Sequence, residues 1–257
     1  MTTASSRPAR LRLPSLALAA ALIASFAAAA PAAAADKPFR YDLYRSGDFV
    51  SQVTAYMCVG ASMQMMLNLI GEDDRSADRQ HELWTLARSF RRTNDPTQMN
   101  SGIDLNRTRR GASSRGWAAG LTQLGAGPYV VTAADTIDAA VLLAAKQMRR
   151  TGRPVGLLVW RGAHAWVISG FEATGDPLSD PKAKVTRVYV LDPWYPRVSK
   201  TWGPGVKPHT GMTIAELGKD WVQWRRSLNR PGLTGRWAMV LPYLPATTDG
   251  RHAHFAN

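Results

Sequence analysis

The chain has 257 residues, 45% of them apolar and nine of them Trp, which excludes a disordered polymer and supplies a sizeable core. One Cys and five scattered His exclude a disulfide framework and a Cys/His zinc ribbon. The formal net charge of +13 comes mainly from arginine. No basic block interleaved with aromatics is present, so nucleic acid is not an expected partner, whereas an anionic envelope surface fits the charge.

The N-terminal segment carries Arg7, Arg10 and Arg12, no acidic residue before Asp36, and an Ala/Leu-rich run from Leu16 to Ala35. A basic start, an apolar stretch and small residues at Ala33 and Ala35 predict a secretory signal cut near Ala35. Residues 36–245 would then form an exported domain in the periplasm or cell envelope, with 246–257 a flexible tail. No later stretch is long and apolar enough to span a bilayer.

Within the domain the front half reads helical. Cys58–Ile70 has apolar residues at 58, 61, 65 and 69, one helix face, with Gly71 as the stop. Ser76–Arg92 places Asp78 and Glu82 early and Arg88, Arg91 and Arg92 late, matching the helix dipole. Its buried stripe would be Leu83, Leu86, Ala87 and Phe90. Asp135–Arg150 is a third helix, ended by Gly152 and Pro154. The back half changes period. Val155–Trp160, Ala163–Phe171 and Val185–Leu191 read as strands bounded by Gly, Pro and Asp. Thr213 and Glu216 form a capping box for a helix bearing Leu217, Trp221, Trp224 and Leu228, and Arg236–Leu244 returns to strand. Helices followed by strands predict an α+β fold, an antiparallel sheet packed beside the N-terminal helices.

Cys58 is the starting point for chemistry. A lone thiol at the first turn of a helix faces free backbone N–H groups and the positive dipole end, which favour thiolate. Gln52 stands six residues upstream, an amide able to donate to a developing oxyanion. His164 opens a strand after a Gly turn and would project from a sheet end. Asp192-Pro193 closes a strand 28 residues later. If the two strands are antiparallel neighbours, Asp192 reaches the His164 ring, fixes its tautomer and stabilises its charged form. Each residue also has an ordinary use: core cysteine, satisfied histidine, turn aspartate before proline.

The order Gln52, Cys58, His164, Asp192-Pro193 resembles the papain-like cysteine peptidases, and most closely their C39-like branch. The resemblance implies that Cys58 is the nucleophile, His164 the general base and acid, and Asp192 its orienting partner. Gln52 and the Cys58 N–H would form the oxyanion hole. It further implies a papain-like fold acting on a peptide or protein substrate without metal or organic cofactor. The sequence departs from that branch after the nucleophile, where Val59-Gly60-Ala61 replaces the usual Gly followed by Pro or Ala. An inactive binding module at the cell envelope, or a transglutaminase-like acyl transferase on the same triad, are the alternatives.

Other groupings point elsewhere. His252 and His254 fall in the tail without a carboxylate nearby, and Glu72, Asp73 and Asp74 lack calcium-loop spacing. Met63, Met65, Met66, Trp221 and Trp224 read as core. Gly120, Gly125 and Gly127 follow no predicted strand and make no phosphate loop. Asn94-Asp95-Pro96 and Gly203-Pro204-Gly205 are turn signals.

Overall fold

The computed structural model describes residues 38–90, 111–224 and 231–244, all within the unit Lys37–Asn257. The predicted signal segment and tail, Arg91, Arg92, Asn94-Asp95-Pro96, Leu228, His252 and His254 lie outside the described residues.

In chain order the elements are β1 (Phe39–Asp42), α1 (Cys58–Leu69), α2 (Ala77–Ser89), α3 (Ser114–Gln123), β2 (Tyr129–Ala134), α4 (Ile137–Thr151), β3 (Val155–Val159), β4 (His164–Ala173), β5 (Val185–Leu191), β6 (Val198–Ser199), β7 (Gly203–Pro204), β8 (Thr210–Thr213), α5 (Ile214–Asp220) and β9 (Trp237–Pro242). The chain is thus mixed α/β, with five helices and an antiparallel sheet among the described residues. The main sheet runs β2-β9-β3-β4-β5-β8, with β1 pairing the far part of β4. The short β6 and β7 pair with each other apart from it.

The sheet is buried on both faces. Alternate strand residues Ala165, Val167, Leu191, Ala238 and Val240 share a core with α1, α2 and α3. Their neighbours Trp166, Ile168, Val190, Met239 and Leu241 pack with α4 and α5. The expected packing of the sheet beside the N-terminal helices is present on one face, and α4 and α5 cover the other. The expectation of a helical front half is corrected. β1 and β2 both lie there, and β2 pairs with the C-terminal β9 along its whole length.

The predicted helix from Cys58 forms, but the inference of a single apolar face does not hold. All twelve residues of α1 are buried, including Ser62, Gln64 and Asn68. These polar groups bond inward. Asn68 Nδ2 donates to the Asp74 carbonyl at 2.9 Å and Gln64 Nε2 to the Asp74 and Ser76 carbonyls at 3.0 Å each. In α2 the side chain of Ser76 caps the Arg79 N–H, and Phe90 follows the helix as an extended, buried residue. The Thr213–Glu216 capping box is present, but α5 stops at Asp220. Trp221 leaves the helix and is buried, while Trp224 exchanges backbone hydrogen bonds with Gly235 and Arg236 instead of extending a helical stripe. Among the described residues no helix is long and apolar enough to cross a membrane.

Candidate active site

Helix α1 lies on β4, where the Ser62 hydroxyl donates to the Ala165 carbonyl at 3.4 Å. The N-terminus of the helix therefore meets the first residue of the strand, Cys58 against His164. Neighbouring β5 runs antiparallel to β4 with Leu191 opposite Val167. Asp192, the next residue, arrives at the same sheet end. The predicted neighbourhood of the two strands is present, and it delivers the predicted contact: His164 Nε2 donates to Asp192 Oδ1 at 2.8 Å.

Asp192 is fully buried, and both of its oxygens also hold backbone. Oδ1 also accepts from the Trp194 N–H at 2.8 Å, and Oδ2 accepts from the Val206 N–H at 2.9 Å. One carboxylate thus orients the imidazole and pins both ends of the loop 193–206. With Nε2 engaged, the remaining ring nitrogen of His164 is Nδ1, and the Cys58 thiol is the second hydrogen-bonding partner of the ring. Burial alone would lower the pKa of His164. The hydrogen bonds and charges of Asp192 and Cys58 outweigh burial and push it from 6.5 up to about 9. The arrangement favours an imidazolium beside the sulfur at neutral pH. Cys58 opens α1 with no side-chain cap, so the helix also offers its unpaired N–H groups there.

Gln52 is placed by both sides of this site. Its N–H donates to the Pro193 carbonyl at 2.8 Å, directly after Asp192. Ser51 Oγ donates to the Tyr195 carbonyl at 2.6 Å and Arg197 to the Val53 carbonyl at 2.8 Å. From α2, Gln80 accepts from the Val53 N–H at 2.7 Å and donates to the Ser51 carbonyl at 3.1 Å. The Gln52 side chain is buried and donates from Nε2 to the Thr54 carbonyl at 2.7 Å. Its Oε1 has no hydrogen-bond partner among the described residues. Among the described residues Nε2 makes that one bond, which leaves its second amide proton for another acceptor.

Several participants were not legible in the sequence. Trp160 stacks on His164 with centroids 4.3 Å apart and 21° between planes. Trp202 stacks on Trp160 in turn at 5.6 Å and 4°, and Trp194 meets the imidazole edge-on at 6.2 Å. Gly203-Pro204-Gly205, expected as a turn, instead contains the short strand β7 and leads into Val206, whose N–H holds Asp192. Its target, a carboxylate fourteen residues earlier, was not visible in the sequence.

Neither a scan against family models nor a search of curated proteins returns a match to this chain. The geometry therefore carries the functional reading.

The remaining groupings are structural. Asp73 pairs with Arg75, Glu72 with Arg79, and Asp74 accepts from the Ser76 N–H. Among the described residues no three His, Cys, Asp or Glu side chains gather as a metal site. Met63, Met65, Met66 and Trp221 are core, and Val59, the residue after Cys58, is buried in the same cluster as Cys58.

Proposed function

We propose that the protein is an exported cysteine hydrolase of papain-like arrangement that cleaves peptide or amide bonds of a peptide or protein substrate. The observation that carries this reading is the buried Cys58–His164–Asp192 chain, with His164 bonded to both partners and its pKa raised to about 9. In this mechanism the Cys58 thiolate, held beside the His164 imidazolium, attacks the substrate carbonyl. The carbonyl oxygen takes up negative charge, which the Cys58 N–H and a Gln52 amide proton stabilise. His164 passes its proton to the leaving amine as the tetrahedral intermediate collapses to a thioester. His164 then takes a proton from water, whose oxygen attacks the thioester, and the acid product leaves with Cys58 restored. Asp192 holds the ring throughout. The segment expected to act as a secretory signal supports export of such an enzyme, and the basic charge suits an anionic envelope surface.

The test is incubation of the purified protein with a complex peptide mixture and identification of new termini and any amine-transfer products by mass spectrometry. Cleavage that disappears in Cys58→Ser and His164→Ala, with a transient acyl group on Cys58, is the expected result. Undiminished cleavage by either variant would sink the mechanism. One observation favours a second reading, a binding module without turnover: the Gln52 amide is directed at the Thr54 carbonyl. No new termini, together with a Cys58 thiol that ignores His164, is the outcome that reading expects.

A further inference from the structure

The turn between β3 and β4 is strained where it touches the site. Val159 and His164 are register partners, and the four residues between them reverse the chain. Two consecutive non-glycine residues there, Trp160 at φ 54° and Arg161 at φ 59°, adopt the left-handed region, followed by Gly162 at φ 83°. A side chain in that region costs about 1 kcal/mol or more. The sequence does not avoid the cost by placing glycine at 160. The conformation lays the indole of Trp160 flat on His164. It also directs the indole N–H, Nε1, to Asp220 Oδ1 at 2.9 Å.

Asp220 has no local reason to be an acid. It is the last residue of α5, where a negative charge opposes the helix dipole. It is partly buried, and that burial raises its carboxyl pKa above the ordinary value. The Trp160 N–H draws the value down again, as do the charges of His164 and Lys219, while Asp192 pushes it up. A strained turn and an unfavourable acid meet in one hydrogen bond, and the product of that bond is the placement of an aromatic face against the candidate base.

We propose that Asp220 is a positioning residue for the His164 imidazole, acting through the indole of Trp160. The inference rests on the reading of His164 as the partner of the Cys58 thiolate. The bond from Trp160 to Asp220 sets the indole against the ring, and the electron-rich face favours the imidazolium over the neutral ring. The charged and titratable groups acting on the pair are Cys58 and Asp192 at His164, and Asp192, His164 and Lys219 at Asp220. Asp192 supplies the direct hydrogen bond. Asp220 holds the surface on which the ring rests.

The experiment is the pH dependence of Cys58 alkylation by iodoacetamide in the full chain. The variants are Asp220→Ala, Asp220→Asn, Trp160→Phe, the double variant Trp160→Phe/Asp220→Ala, and His164→Ala as control. Asp220→Ala and Trp160→Phe each lose the tether and are expected to raise the apparent thiol pKa by about half a unit to one unit. The double variant shifts no further than Asp220→Ala, since both changes break one bond. Asp220→Asn keeps an acceptor for the indole N–H and loses only the charge that acts on His164, so its shift is clearly smaller than that of Asp220→Ala. A shift in Asp220→Asn as large as in Asp220→Ala would overturn the proposal in favour of charge alone, and additive shifts in the double variant would also overturn it. If Asp220→Ala does not fold, the contrast between Trp160→Phe and Asp220→Asn makes the same decision. A His164-dependent profile indifferent to Asp220→Ala defeats this assignment alone. A profile indifferent to His164→Ala defeats it together with the function it rests on.

Discussion

Replacing Asp192 by Ala removes a carboxylate that serves three donors in a fully buried position. The backbone N–H groups of Trp194 and Val206 lose their acceptor. Each orphaned buried donor costs about 1–3 kcal/mol. Water entering the vacated space recovers part of that, which leaves a loss of about 2–4 kcal/mol. At roughly 2–4 °C per kcal/mol for a chain of this size, Tm falls by about 5–15 °C. The same change acts on His164. Its pKa of about 9 exists because hydrogen bonds and charges outweigh burial, and removing Asp192 takes away the foremost of those hydrogen bonds and lets burial pull the value down. The imidazolium then no longer stands beside Cys58 at neutral pH, and alkylation at pH 6 should slow by about 10- to 100-fold, one to two units of lost ion pairing. Thermal unfolding and mass-resolved iodoacetamide labelling read the two effects on one sample. A variant with Tm within 2 °C of wild type (~0.5–1 kcal/mol) and an unchanged labelling profile would refute the reasoning, because Asp192 would then be holding neither loop nor ring.

Three further changes separate the parts of the account. His164 has its pKa raised on folding from 6.5 to about 9, so its contribution to stability is complete below pH 6.5 and lost as pH rises through 9. In a Cys58→Ser background, where no thiol titrates, the stabilities with and without His164→Gln in denaturant titrations should therefore draw closer together between pH 6 and pH 9.5, by up to about 3 kcal/mol, and a gap constant with pH would contradict the raised pKa. Gln52→Ala should lower kcat about 10²- to 10³-fold while leaving the pH profile of Cys58 alkylation in place; unaltered turnover removes Gln52 from the oxyanion hole. Gly60→Ala places a Cβ 2.8 Å from the Gln80 carbonyl and 2.9 Å from the Trp84 Cβ. Despite the helix propensity of alanine, it should destabilise by about 1–3 kcal/mol in chemical denaturation, and a stabilised variant would mean that α1 and α2 separate freely.

The elements visible in the sequence were those whose signal is local. Val185–Leu191 forms over the predicted residues, and Thr213 with Glu216 builds the capping box that their spacing announced. Helix α3 was not legible because its reasons are tertiary. Gly116 and Gly120 weaken its helix signal, yet a Cβ at Gly116 would collide with the Ala87 carbonyl, and one at Gly120 would come 2.7 Å from Met63. β1 and β2 are held by partners far along the chain, Gly170–Ala173 and Trp237–Pro242 respectively, so nothing beside them in sequence marks them. The early end of α5 at Asp220 has the same character, since Trp221 turns into the core where its indole N–H reaches the Ala238 carbonyl at 3.1 Å.

At the site the division is similar. That Cys58, His164 and Asp192 meet was legible because each sits at the end of a recognisable element, and β4 and β5 bring the last two together. Gln52 was singled out by its spacing from Cys58, but its hydrogen bond to Thr54 belongs to loop geometry that spacing does not encode. The tryptophans around the ring and the Val206 N–H come from loops whose conformation depends on the assembled sheet.

The most direct test of the central claim is the rate of Cys58 alkylation by iodoacetamide as a function of pH, in the wild-type protein and in His164→Ala. The chain has one cysteine, so every adduct is assigned without ambiguity. Rapid reaction already well below pH 7, slowed sharply or abolished without His164, is the expected result. A slow thiol with a pKa near about 8.5, the same in both proteins, would contradict it.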